Sequence, residues 1–269
     1  MDIQPFLDAF PLPAKRGILS DIDKAATDKA VDALIAKPAE AAKALADKLI
    51  DPGAEGNDIQ ARHALHAVAI RISTRGEGPR AAFCTALAAT LAGERPSGAK
   101  AFIIRQLQLC GGKEVAAKVG AFLTVTGLAD DAAQALLAIR EGAAEQFRAA
   151  LAQVADDTEL RRNIIHGLAQ LADKPSKDTF IAALGDKDEE TRLLALWGIV
   201  QLVDASTLDT FLAAEQKENG FARTKAAGLC LQLAEKLPKA EAAKIYRHLQ
   251  STRTKPEEKY LQELAAAAL

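Results

Sequence analysis

Aromatic side chains are scarce in this chain of 269 residues: they make up 4% of it, with one Trp and two Tyr. Little stacking surface is therefore offered to nucleic-acid bases, and 34 basic against 36 acidic residues leave no basic footprint for a phosphate backbone. Nucleic acid is excluded as an expected partner. No segment approaches the roughly 20 apolar residues a membrane span requires, so no membrane partner is expected either. The opening MDIQPFLDAF carries Asp2 and Asp8 and no cation ahead of an apolar run. That lacks the plan of a secretory signal and makes a cytoplasmic location the expectation. Cysteine is rare too. Cys84, Cys110 and Cys230 are odd in number, far apart and set in apolar helical contexts such as LQLC and GLCLQL. They read as buried free thiols, not as a disulfide frame or a CxxC metal site.

What the chain does have is Ala and Leu, which together supply about a third of it. Good helix formers dominate and β-branched residues are few, so an all-α fold is expected. An internal repeat then sets the architecture. RRNIIHGLAQL from Arg161, RLLALWGIVQL from Arg192 and RTKAAGLCLQL from Arg223 align without a gap at a period of 31 residues. Each places apolar residues three, four, seven and ten positions after the Arg, which is helical spacing. DTFIAA from Asp178 recurs as DTFLAA from Asp209 at the same period. The unit is thus a short helix followed by a longer one. Looser copies of the longer helix start at Arg62, Ala99 and Ala129, and STRGEGP (73–79) is expected to break the helix between the first two.

A chain in which each helix pair meets only its neighbours is a solenoid, and six or seven pairs fit this length in one α-α superhelix over residues 1–269. Residues 59–236 would hold the repeats, 1–58 an irregular N-terminal cap and 237–269 the capping helices. Within the first cap, 13–22, 27–36 and 38–50 read as helices, with Thr27 as an N-cap and Pro38 in a first helical position.

The two-helix unit, its period and the pair Asp186 and Arg192 resemble HEAT repeats, of the short kind also found in phycobilin lyase-like proteins. In such repeats an Asp in the turn precedes an Arg of the second helix by six residues, and the resemblance implies that the two build a ladder between neighbouring repeats. Ala155 and Lys217 stand at the equivalent places before Arg161 and Arg223, while Asp156 precedes Arg162 by six. HEAT-repeat hydroxylases carry His-Glu dipeptides that ligate iron. Here His63, His66, His166 and His248 are followed by Ala, Ala, Gly and Leu, which excludes that chemistry. His63 and His66 share a helical face, and Cys84 on the next helix would be a third donor, yet no set with zinc spacing is complete. No cofactor, no metal and no catalytic residue is therefore expected. The DKDEE run (186–190) reads as a turn whose carboxylates favour the following helix N-terminus.

The resemblance implies that second helices line the concave surface. On a wheel of 100° per residue, offsets two, five and nine oppose the apolar stripe. These columns give Ala64, Ala67 and Arg71; Ala101, Ile104 and Gln108; Asp131, Gln134 and Ala138; Asn163, His166 and Gln170; Leu194, Trp197 and Gln201; Lys225, Gly228 and Gln232. Gln108, Gln170, Gln201 and Gln232 form a glutamine ladder able to donate to and accept from a polar chain. Trp197 reads either as an exposed anchor or as a wedge between helices beside Gly167 and Gly228. The functional expectation is a non-catalytic scaffold or adaptor that binds a protein on this face. The alternative is a lyase-like enzyme or accessory holding a small molecule in the groove.

Overall fold

Short Ala- and Leu-rich runs punctuated by Pro, Gly and Asp fold into helices that cannot bury their apolar stripes alone, and they do so by stacking. The computed structural model describes residues 1–12, 23–154 and 156–269. All regular structure among these is helical. They fall into two compact units, Met1–Gln153 and Val154–Leu269.

The first unit holds α1 (Gln4–Leu7), α2 (Lys24–Ile35), α3 (Pro38–Ala46), α4 (Ile59–Ile72), α5 (Glu77–Ala89), α6 (Ser97–Cys110), α7 (Lys113–Gly120), α8 (Ala129–Ile139) and α9 (Ala143–Leu151). One layer runs α3, α5, α7, α9 and the other α2, α4, α6, α8, each helix touching the next in its layer. Phe83, Leu65, Leu87, Ile103 and Phe147 are fully buried between them. The helix expected over 13–22 lies outside the described residues. Thr27 is not a cap. The helix begins three residues earlier, where the Asp23 carboxylate accepts from Ala26 N at 3.0 Å, and the Thr27 hydroxyl instead donates to the Asp23 carbonyl at 2.9 Å. Pro38 does occupy the first turn of α3. The break expected at 73–79 is shorter than its composition suggests. Gly76, at φ +84°, precedes α5, and Gly78 and Pro79 lie inside its first turn. A proline there removes an N–H that no helical carbonyl would have accepted.

The second unit holds α10 (Thr158–Gln170), α11 (Lys177–Ala183), α12 (Glu189–Leu202), α13 (Leu208–Glu215), α14 (Gly220–Lys236), α15 (Lys239–Thr252) and α16 (Lys259–Ala267). The longer helices α10, α12 and α14 form one layer, and α11, α13 and α15 lie behind them. The period is visible in detail. Short 3-10 turns at Lys174–Ser176 and Ala205–Thr207, and the buried Phe180 and Phe211, all recur 31 residues apart. So does a left-handed residue that ends the longer helix, Ala172 at φ +50° and Val203 at φ +52°.

An arginine near the start of each longer helix reaches forward to an acid of the next repeat. Arg162 forks onto Asp188 at 2.7 and 2.5 Å, Arg192 onto Glu218 at 2.6 and 2.9 Å, and Arg223 onto Glu258 at 2.5 and 3.2 Å. Bidentate forks of this kind fix orientation as well as contact. Asp188 also caps α12, accepting from Thr191 N at 2.8 Å. The Arg162 guanidinium and this cap hold its carboxyl well below the usual carboxylate range. Asp186 and Arg192 do meet, but through the backbone: Arg192 Nη1 donates to the Asp186 carbonyl at 3.0 Å. The Asp186 carboxylate pairs with Arg161 at 3.0 Å. The DKDEE turn is thus partly built into the ladder, because its acids satisfy the preceding repeat. At the C-terminal end the fully buried Arg253 pairs with the fully buried Glu215 and lies 3.4 Å from Glu258, and His248 Nε2 is 2.7 Å from Glu215.

Candidate functional site

In the second unit the residues opposite the apolar stripe remain accessible. Gln170, Lys225 and Gln232 are exposed, and Asn163, His166, Leu194, Trp197, Gln201 and Gly228 are half-buried. They line up because α10, α12 and α14 share one 31-residue register. His166 and Trp197 stack with ring centroids 5.4 Å apart and planes 20° from parallel. One face of the indole is thereby packed on the neighbouring helix. The other side opens on a cavity of about 290 Å³ between α12 and α14, lined by Glu190, Leu193, Leu194, Trp197, Lys225, Leu229 and Gln232. Trp197 combines features of both readings of it: it packs against α10, and it walls a groove. Gly228 does not host it as a wedge would require, since a Cβ there would meet nothing within 4 Å.

The polar rim is partly organised. Lys236 Nζ donates to Gln201 Oε1 at 3.3 Å, and Lys225 Nζ sits 4.8 Å from the centre of the Phe221 ring, which is 67% exposed. Such a cation–π contact presents charge and apolar surface together. Leu193, Leu229 and Phe221 escape a search restricted to offsets two, five and nine. Leu193 and Leu229 fall at offsets one and six, on the flanks of the same outward sector, and a wider arc finds them.

In the first unit the expected columns are displaced. Ala64, Ala101 and Ile104 are buried, at 0, 9 and 0% exposure, and Gln108 is half-buried beside a column it does not belong to. The repeat frame there starts at Ala61 and Lys100, not at Arg62 and Ala99. With those starts the outward residues are His63, His66 and Ile70 on α4 and Arg105 and Leu109 on α6, all exposed, with the half-buried Phe102. One residue of slip turns a helix by 100°, enough to exchange its faces. The frame from Ala129 needs no change, leaving Gln134 and Ala138 exposed and Asp131 half-buried. The glutamine column is therefore a property of the second unit, with three members. His66 Nδ1 lies 2.9 Å from Gln106 Oε1, and Cys84 faces Cys110, so the structure does not bring His63, His66 and Cys84 together as one donor set.

Stacked pairs of antiparallel-type helices, a 31-residue period and an arginine–acid ladder define the class as α-α repeats. Residues 144–232, about a third of the chain, match the family profile of HEAT repeats. No curated protein matches the chain. No helix among the described residues is long and apolar enough to cross a membrane.

Proposed function

We propose that the chain is a non-catalytic scaffold that binds a protein segment across the outward face of α10, α12 and α14. One observation carries this reading: the only Trp of the sequence is fixed by stacking on His166 and lines an accessible groove with Leu194 and Leu229. A rigid aromatic that is already ordered loses little entropy on binding, which is what makes Trp a frequent anchor. Gln170, Gln201 and Gln232 flank it and supply donors and acceptors for a backbone or polar side chains. The groove, at about 290 Å³, sits at the lower edge of the roughly 300–1,000 Å³ of small-molecule sites. That size favours one or two apolar side chains of a partner over an enclosed ligand.

Affinity capture with the wild-type chain, Trp197→Ala and the first-unit variant Ile70→Ala tests the reading. A partner retained by wild type and Ile70→Ala, and bound about 2 kcal/mol more weakly by Trp197→Ala, supports it. Equal retention by all three removes Trp197 from the interface, and co-purification of a small molecule lost with Trp197→Ala favours the lyase-like alternative.

A further inference from the structure

Two of the three cysteines are neighbours. Cys84 on α5 and Cys110 at the end of α6 are buried, at 0 and 3% exposure, with their sulfurs 3.4 Å apart. Cys84 Sγ also donates to the Cys110 carbonyl at 3.2 Å, and Cys110 Sγ to the Gln106 carbonyl at 3.3 Å. A disulfide bond measures about 2.05 Å, so joining the pair needs each sulfur to move by about 0.7 Å, within the range of small χ1 adjustments. Arg80 stands at the rim, donating to the Cys110 carbonyl at 2.9 Å and to Glu114 at 2.7 Å. It brings a positive charge, paired with the Glu114 carboxylate, to the carbonyl that the Cys84 thiol also meets. The hydrogen bond with Cys84 and burial push the Cys110 thiol up, against the pull of Arg80; Cys230 is buried alone in the second unit, where desolvation pushes its thiol up too.

We propose that Cys84 and Cys110 are an oxidisable dithiol that a peroxide converts into a disulfide joining α5 to α6. One cysteine, as thiolate, attacks a peroxide oxygen. The O–O bond breaks and hydroxide leaves, giving a sulfenic acid. The second sulfur attacks the first, the S–S bond forms as the S–O bond breaks, and water departs with the proton of the second thiol. With hydrogen peroxide the balance is two thiols and one peroxide to one disulfide and two waters. Burial makes the step slow, since the oxidant enters only when the α5–α6 contact opens, and it shields the product from reductants in the same way. The consequence is a covalent clamp across the turn at 90–96, in the unit whose repeats lack the arginine ladder.

The test is hydrogen peroxide added to the fully reduced chain. Thiols titrated in denaturant should fall from three to one, the intact mass should fall by about 2 Da, and a non-reducing digest should yield one linked peptide pair containing Cys84 and Cys110. Dithiothreitol should restore three thiols, and the oxidised form should melt at a higher temperature than the reduced one. Cys84→Ser should abolish the linked pair and the rise in melting temperature. Three thiols remaining after oxidation, mass gains in steps of oxygen without a linked peptide, or a link involving Cys230 would each overturn the proposal.

Discussion

The two units solve the same packing problem with different interactions. In the second, charged contacts recur from helix to helix: Arg162, Arg192 and Arg223 fork onto Asp188, Glu218 and Glu258, Asp188 caps α12, and a fully buried Arg253 pairs with Glu215. In the first, ion pairs are improvised. Arg71 meets Asp28 and Asp32, Arg95 meets Asp47, and Arg105 meets Asp131, with side chains 16–54% exposed. Its layers are held mainly by Ile, Leu, Phe and Ala. A recurring directional contact restrains how neighbouring helices are rotated, whereas apolar burial, which has no direction, tolerates slippage. The second unit accordingly presents an ordered column of like residues on three helices, and the first does not.

The largest expected effect tests that contrast directly. Arg253→Met leaves the fully buried Glu215 without its arginine, while Glu258 keeps Arg223, and should destabilise the second unit by about 3–5 kcal/mol. Arg105→Ala removes a pair in which the arginine is 48% exposed and should cost at most about 1 kcal/mol. Denaturant unfolding of both variants checks this, and equal losses would break the comparison. Next comes a pair of glycines on neighbouring helices. A Cβ on Gly198 would lie 2.5 Å from the ring of the buried Phe180, so Gly198→Ala should cost about 1–3 kcal/mol. At Gly228 nothing stands within 4 Å, and Gly228→Ala should stabilise by about 0.5–1 kcal/mol while weakening binding if a partner lies close on α14.

Val203 should respond in the opposite sense to most substitutions. It is β-branched and left-handed at φ +52°, so Val203→Gly should stabilise by about 1 kcal/mol, seen as a raised melting temperature. The smallest effect concerns acid. Asp188 and Glu258 are held below their ordinary values, 3.8 and 4.5, first of all by Arg162 and Arg223. The unfolded chain therefore takes up these protons first, and the stabilisation is complete above about pH 5 and lost as pH falls through the lowered values. Melting temperatures measured from pH 6 to 3 should show a steep acid limb, which Arg162→Gln makes shallower.

Fold class and period could be read from the sequence because Arg161, Arg192 and Arg223 mark one register in three helices. The same reasoning slipped on α4 and α6 for a physical reason. Arg62 is no counterpart of those arginines: it turns back to Asp58 at 2.8 Å and to the Ile50 carbonyl. Buried Ala61, Ala64 and Ala69 on α4, and Ala99 and Ala101 on α6, give little apolar contrast between faces. The ladder partners were also hidden. Glu218 lies 26 residues beyond Arg192, in the next repeat, where no spacing within one repeat points. Column residues in the second unit were legible, but the His166–Trp197 stack was not, because it depends on how far two helices stand apart.

The face around Trp197 can be examined through its own emission, since no other Trp contributes. Acrylamide quenching of the free chain and of the chain saturated with its captured partner is the most direct measurement. The expected result is intermediate quenching of a half-buried indole in the free chain, with a blue shift and protection on binding. Emission that is already blue-shifted and resistant in the free chain, or unchanged by the partner, would contradict the assignment of this face.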